Sequence, residues 1–134
     1  LERQRHCENT LGLGRIKAEQ HQDPEIKRWL KYLKFRQLTG DNQLDSITLT
    51  YSRHMGTYDG ILYHFWDSLS DGRRKVLRKQ LVVPVSLRQN ILKWAHEDIF
   101  TAHQGLSKSF ETLRESFWWT SMYADLADFI RKCE

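Results

Sequence analysis

His96, His103 and Cys133 stand in the order H-x6-H-x29-C. Neutral imidazole and thiolate are the donors that zinc prefers, and a structural zinc site takes four of them in a tetrahedron. Three are in place. The natural position for the fourth is a C-x2-C partner, three residues after Cys133. Three ligands with an open water position would instead suit catalytic zinc. That chemistry needs a general base, and Glu97, adjacent to His96, faces a different helical direction. The spacing therefore predicts a structural zinc whose last ligand lies just past Glu134. With a first residue that is Leu1 rather than Met, it predicts an internal piece of a larger protein.

Other residues could meet nucleic acid. Arg73, Arg74 and Lys75 open a run to Lys79 that holds five Lys or Arg. Such a run can track phosphates, each contact adding a salt-dependent increment. The same composition protects the edge of a sheet. Trp118 and Trp119 could stack on bases, although an aromatic plug between helices is the commoner use, with at least one ring in the core. His6, His21, His54 and His64 have no ligand-like context and read as surface residues. Cys7 reads as an unpaired thiol.

The elements that would position these groups divide near Pro84. Residues 1–21 are polar, with Gly12 and Gly14 interrupting any helix, and read as a tail or connector. Asp23-Pro24-Glu25 starts a helix, Asp as N-cap and Pro at the first position. Ile26, Trp29, Leu30 and Leu33 give it one apolar face. Thr39-Gly40-Asp41-Asn42 is a turn cluster. Ile47, Leu49 and Tyr51 then alternate with polar residues, which predicts a strand. Asp59-Gly60 ahead of Ile61–Trp66 predicts a hairpin. Leu81-Val82-Val83 is a further strand, closed by Pro84. Residues 22–84 are thus expected to be a helix with a small antiparallel sheet.

Residues 85–134 read as three helices. Ser86 and Gln89 form a capping box. Leu87, Ile91, Leu92 and Ala95 make the buried stripe of the first helix, which carries His96. The second takes Phe110, Leu113 and Phe117 inward. The third stacks Met122, Leu126, Phe129, Ile130 and Cys133 on one side. Asp125 and Asp128 fall on its polar side as solvated charge. Three helices this short enclose little apolar surface, and small domains of that kind lean on a metal or a disulfide.

Composition leaves room for this scheme. A chain of 134 residues with 40% hydrophobic and 12% aromatic residues can build a real core. A net charge of +4 permits a nucleic-acid partner without demanding one. No apolar run reaches membrane-spanning length, and no signal-peptide pattern is visible. Two cysteines so far apart make no disulfide framework, which suits a reducing compartment, the cytosol or nucleus.

From about Leu81 to Glu134 the sequence resembles the H2C2 zinc-binding domain of integrases from Ty3/gypsy-type LTR retrotransposons and related retroviruses. The shared features are the Val83-Pro84 start, the helix leading to His96, and the six residues to His103. Gly105 follows, then the Thr112-Leu113-Arg114 helix, the Trp118-Trp119 pair and the helix that delivers Cys133. Ala102 and Thr120 depart from the usual Gly and Pro. The first half resembles the extension domain that precedes the zinc domain in such elements. The resemblance implies an α+β chain: an extension with a helix and antiparallel strands, then a three-helix zinc-binding domain of HHCC type. It implies zinc as cofactor, binding of the element's DNA ends, self-association, and no catalysis here, since the three-carboxylate core of integrases lies elsewhere. The DNA contacts it suggests are Gln104, Ser107 and Lys108 at the start of the second helix, Arg88 and Lys93 on the first, and Arg73, Arg74 and Lys75. Work on DNA implies the nucleus, with a cytoplasmic phase. The other reading is a domesticated copy that binds a host protein or dimerises without transposition.

Overall fold

A computed structural model of the chain describes residues 2–70, 74–98 and 105–132. In it the Asp23-Pro24 signal does start a helix. Two helices come first, α1 (Glu2–Leu11) and α2 (Leu13–Gln20), followed by α3 (Pro24–Phe35). Asp23 Oδ1 accepts the Glu25 and Ile26 N–H groups at 3.0 and 3.1 Å. The helix ends where Arg36 turns left-handed, φ 56°.

The next element corrects the sequence reading. Residues 42–52 form a helix, α4 (Asn42–Ser52), where alternation predicts a strand. The Thr39–Asn42 cluster is its start: Asp41 accepts the Gln43 and Leu44 N–H groups, both at 3.0 Å. The β-branched threonines fit because their hydroxyls bond back one turn. Thr48 Oγ1 donates to Leu44 O at 3.0 Å and Thr50 Oγ1 to Ser46 O at 2.7 Å. Leu44, Thr48 and Tyr51 recur at helical spacing, and that period prevails over the period of two.

Strand β1 (Met55–Tyr58) and strand β2 (Ile61–Ser70) follow as a hairpin on the expected Asp59-Gly60 turn, but its first strand is residues 55–58 and not the predicted run from Ile47. Asp59 and Gly60, φ 52° and 78°, form its two-residue loop, with the positive φ pair that matches strand twist. Strand β3 (Arg74–Val82) starts well before the predicted apolar run and takes in the basic stretch. Then come α5 (Val85–Asp98), α6 (Leu106–Leu113), strand β4 (Phe117–Trp118) and α7 (Met122–Lys132).

The sheet order is β1-β2-β3-β4, with β4 parallel to β3. The expected all-antiparallel sheet is therefore mixed. Its fourth strand comes from beyond Pro84, where a helical face through Phe117 is predicted. Leu81 N–H donates to Ser116 O at 2.8 Å and Val83 N–H to Trp118 O at 3.0 Å. Alternation along the strands sorts their side chains to two faces. Ile61, Tyr63, Leu81 and Val83 join Leu87, Leu92, Leu113, Phe117 and Leu126 in the larger core cluster. Leu62 and Val82 join Ile26, Trp29 and Met55 in a smaller one.

The stretch expected as a tail enters the larger core: Cys7 and Ile16 are buried within it. Gly12, φ 84°, separates α1 from α2, so the glycine sets a corner between helices instead of ending helical structure. Three buried glutamines, none singled out by sequence pattern, join the layers. Gln4 Nε2 donates to Lys79 O at 2.6 Å and Ser116 O at 2.9 Å. Gln20 Nε2 donates to Leu62 O at 3.0 Å and Val82 O at 2.8 Å, and its Oε1 accepts the Leu62 N–H at 2.8 Å. Gln80 Nε2 donates to Arg114 O at 2.5 Å.

Asp23 has a second task. Its other oxygen, Oδ2, accepts the Val85 N–H at 2.8 Å, so one carboxylate serves the first turns of both α3 and α5. Ser86, predicted to cap α5, is instead its second residue and donates to Glu19 Oε2 at 2.6 Å.

Candidate metal centre and basic surface

α5 carries Leu87, Ile91, Leu92 and Ala95 into the core, as predicted. That leaves the next residue, His96, on the exposed side near the helix end. Its ring meets Phe129 of α7 edge-on, with centroids 5.8 Å apart. Phe129 stands four positions before Cys133 in the sequence. His103 and Cys133 lie outside the described residues. Among the described residues, no group of three His, Cys, Asp or Glu could hold a metal ion.

The other thiol is not a ready ligand. Cys7 is free and buried, and its pKa is pushed up to about 12 by that burial and by the Glu8 charge. Metals bind the thiolate. Cys7 is therefore a poor donor for a metal, and of the three predicted donors only His96 falls within the described residues.

Of the predicted nucleic-acid contacts, Arg88 is already engaged. Its Nε donates to Val83 O at 3.2 Å, its guanidinium reaches Glu25 at 3.9 Å, and it lies 5.7 Å from the Trp119 ring centroid. Burial pushes its pKa down, while Asp23, Glu25 and Asp125 oppose that. Lys93 is exposed on α5, and Ser107 and Lys108 are exposed in the first turn of α6. Gly105 caps α6 without a side-chain hydrogen bond. Arg74 and Lys75 lie in β3, with side chains outside the description, and Arg73 and Gln104 are outside the described residues altogether.

The tryptophan pair divides. Trp119 is buried, and its Nε1 donates to Asp125 at 2.8 Å. Trp118 is half-buried among Trp29, Tyr51 and His64. Asp125 is thus a partner of Trp119 and not solvated charge, whereas Asp128 pairs with Arg131 and Lys132 on the surface of α7.

His64, read from sequence as a surface residue, is half-buried. Its ring stacks flat on Trp118, centroids 4.3 Å apart and planes 3° apart, and Nδ1 lies 2.7 Å from Gln80 Oε1. Burial, and secondarily the charge of His54, hold its pKa below 6.5, against the Gln80 hydrogen bond. A histidine depressed in the fold binds its proton more readily when unfolded. Its contribution to stability is complete above about pH 6.5 and is lost as pH falls from there through the folded pKa. Urea midpoints should therefore drop between about pH 8 and about pH 5, and His64→Gln should flatten that drop. An unchanged slope in the variant would mean that His64 titrates normally.

Residues 83–134 match the family model of the integrase zinc binding domain, over a stretch that contains His96, His103 and Cys133 and makes up less than half of the chain. That domain is a non-catalytic N-terminal part of integrases. No curated protein matches the chain. Among the described residues, no helix is long and apolar enough to cross a membrane.

Proposed function

We propose that this chain is the N-terminal region of a Ty3/gypsy-type integrase, in which zinc held by His96, His103, Cys133 and a fourth ligand folds the second half. The observation that carries the reading is the family match over residues 83–134, all three donors included. The ring contact between His96 and Phe129, four positions before Cys133, adds to it. Zinc here is structural: its binding free energy becomes folding free energy. The region would help integrase protomers associate and contact the element's DNA ends in the nucleus. Lys93, Ser107 and Lys108 are the exposed candidates among the described residues, and Gln104, Arg73, Arg74 and Lys75 complete the proposed set. Arg88 is the weakest of the set, because its guanidinium already ties α5 to Glu25.

The test is native mass spectrometry with zinc added, on the chain extended by the few residues past Glu134 that are expected to supply the fourth ligand. One zinc per chain is expected, lost in His96→Ala, His103→Ala and Cys133→Ser, with a thiolate charge-transfer band when cobalt replaces zinc. A chain that takes up no zinc, or keeps it in all three variants, sinks the metal reading. A second reading, a domesticated docking or dimerisation module, draws on the exposed Phe35, Leu38, Ile47 and Leu49 around α3 and α4. Salt-sensitive binding of a short DNA duplex would favour the integrase reading. Self-association without DNA binding would favour the module.

A further inference from the structure

Beside the outer end of β4, His64, Trp66, Phe110, Arg114, Trp118 and Tyr123 line an open cleft of about 230 Å³. Gln80, Trp119, Thr120 and Met122 also line it, and among the described residues no carboxylate does. Arg114 leaves the end of α6 with its guanidinium 4.2 Å from the Trp66 ring centroid and 5.4 Å from that of Phe110. Its Nη2 pairs at 3.0 Å with Glu111, a mostly exposed side chain. Exposed pairs of this kind are weak and readily exchanged for another anion. Tyr123, itself 49% exposed, meets Phe110 edge-on at 5.0 Å. Trp66 stands opposite Arg78 in the β2–β3 ladder, which leads away into the basic part of β3.

This chemistry narrows the ligand. Aromatic rings around a cavity suit either a cation or another π system. A cation would meet the Arg114 guanidinium, whose carboxylate partner, Glu111, stands outside the lining. A planar ring attached to an anion meets the exposed ring of Tyr123 and a guanidinium together. We propose that this cleft stacks an unpaired base of a single-stranded nucleic acid while Arg114 takes an adjacent phosphate, with the basic strand β3 following the backbone outward. The proposal goes beyond the zinc reading and does not rest on it.

Stacking on aromatic side chains is worth about 1–3 kcal/mol per base, roughly tenfold or more in affinity. Fluorescence anisotropy at fixed salt, on the whole chain, compares four probes of about fifteen nucleotides: oligothymidylate, oligouridylate, an abasic strand and a duplex. The thymidylate or the uridylate strand should bind about tenfold tighter than the abasic strand, which keeps the phosphates and lacks the bases. Whichever of the two binds tighter names the kind of strand. Tyr123→Ala and Arg114→Gln should each weaken that binding about five- to tenfold with unchanged circular dichroism. Trp66→Leu serves as the third variant if one of these fails to fold. Equal affinity for the abasic strand, equal or tighter binding of the duplex, or folded variants that bind as the parent does would each overturn the proposal. Zinc uptake, measured on the same samples, reports separately on the metal reading.

Discussion

Gln20→Leu should cost about 4 kcal/mol of stability and lower Tm by about 10–15 °C, although leucine has nearly the same volume and is more hydrophobic. The ladder of β2 and β3 is in register through Tyr63 and Leu81, so the next rung would join Leu62 to Val82. The Gln20 amide stands in that rung. It satisfies the N–H and C=O of Leu62 and the C=O of Val82, and it is fully buried. Leucine would leave all three groups without their side-chain partner and out of reach of water. Each orphan costs about 1–3 kcal/mol, and added apolar burial offsets only part of the total. Gln20→Glu supplies a sharper version. Its carboxylate can accept from Leu62 N–H but would face two carbonyl oxygens. It should be worse than leucine at neutral pH and recover partly in acid, where the protonated acid donates one bond. Urea unfolding of both variants checks this, and a loss under about 1 kcal/mol for the leucine variant would show that the strands close over the gap.

Trp119→Ala carries the other large effect, about 4 kcal/mol, from the cavity left in the core and the lost indole hydrogen bond. Trp119 is 2% exposed within the larger cluster, and its Nε1 donates to Asp125 Oδ2. The same oxygen accepts Ser121 Oγ at 2.7 Å, and Trp119 O accepts Met122 N–H at 3.1 Å. The ring therefore fills core and fixes how α7 begins. Trp119→Phe should cost about 1–2 kcal/mol, because phenylalanine keeps most of the volume and Asp125 keeps Ser121. Equilibrium unfolding separates the two terms; nearly equal losses in both variants would assign the effect to the hydrogen bond and not to packing. Because α7 leads directly to Cys133, zinc uptake by the alanine variant should weaken along with stability if Cys133 is a ligand.

Local chemistry made some of this legible. Asp23-Pro24 and the spacing of Ile26, Trp29, Leu30 and Leu33 located α3, and Asp59-Gly60 located the hairpin, because a cap and a two-residue loop act over a few residues. α5 with His96, and α7, followed from one apolar stripe each. The misreadings have physical causes. Ile47, Leu49 and Tyr51 satisfy a period of two within a segment whose Asp41 cap and back-bonded threonines favour a helix. Two glycines suggested a tail, yet residues 2–20 gain their order from contacts with strands far along the chain. β4 is two residues long, and nothing near Phe117 announces that its partner is Leu81. Nor does a glutamine in a polar helix signal that it will complete a sheet. For the candidate site, residue type and spacing proposed three donors, of which the described elements position His96 alone.

The parallel pairing of β4 with β3 has a consequence for how this region can be inherited and dissected. A segment beginning at Val83 is not a detachable cassette, because it supplies the strand that pairs in register with Leu81 and Val82. Removing it would leave β3 with an uncovered apolar border, the kind of feature that recruits other chains into aggregates. Expressed separately, the segment would in turn present Phe117 and Trp118 with no ladder to join. The two stretches on either side of Pro84 are therefore expected to be co-selected as one unit, and shuffling of the zinc-binding segment between proteins should succeed only when the preceding hairpin travels with it.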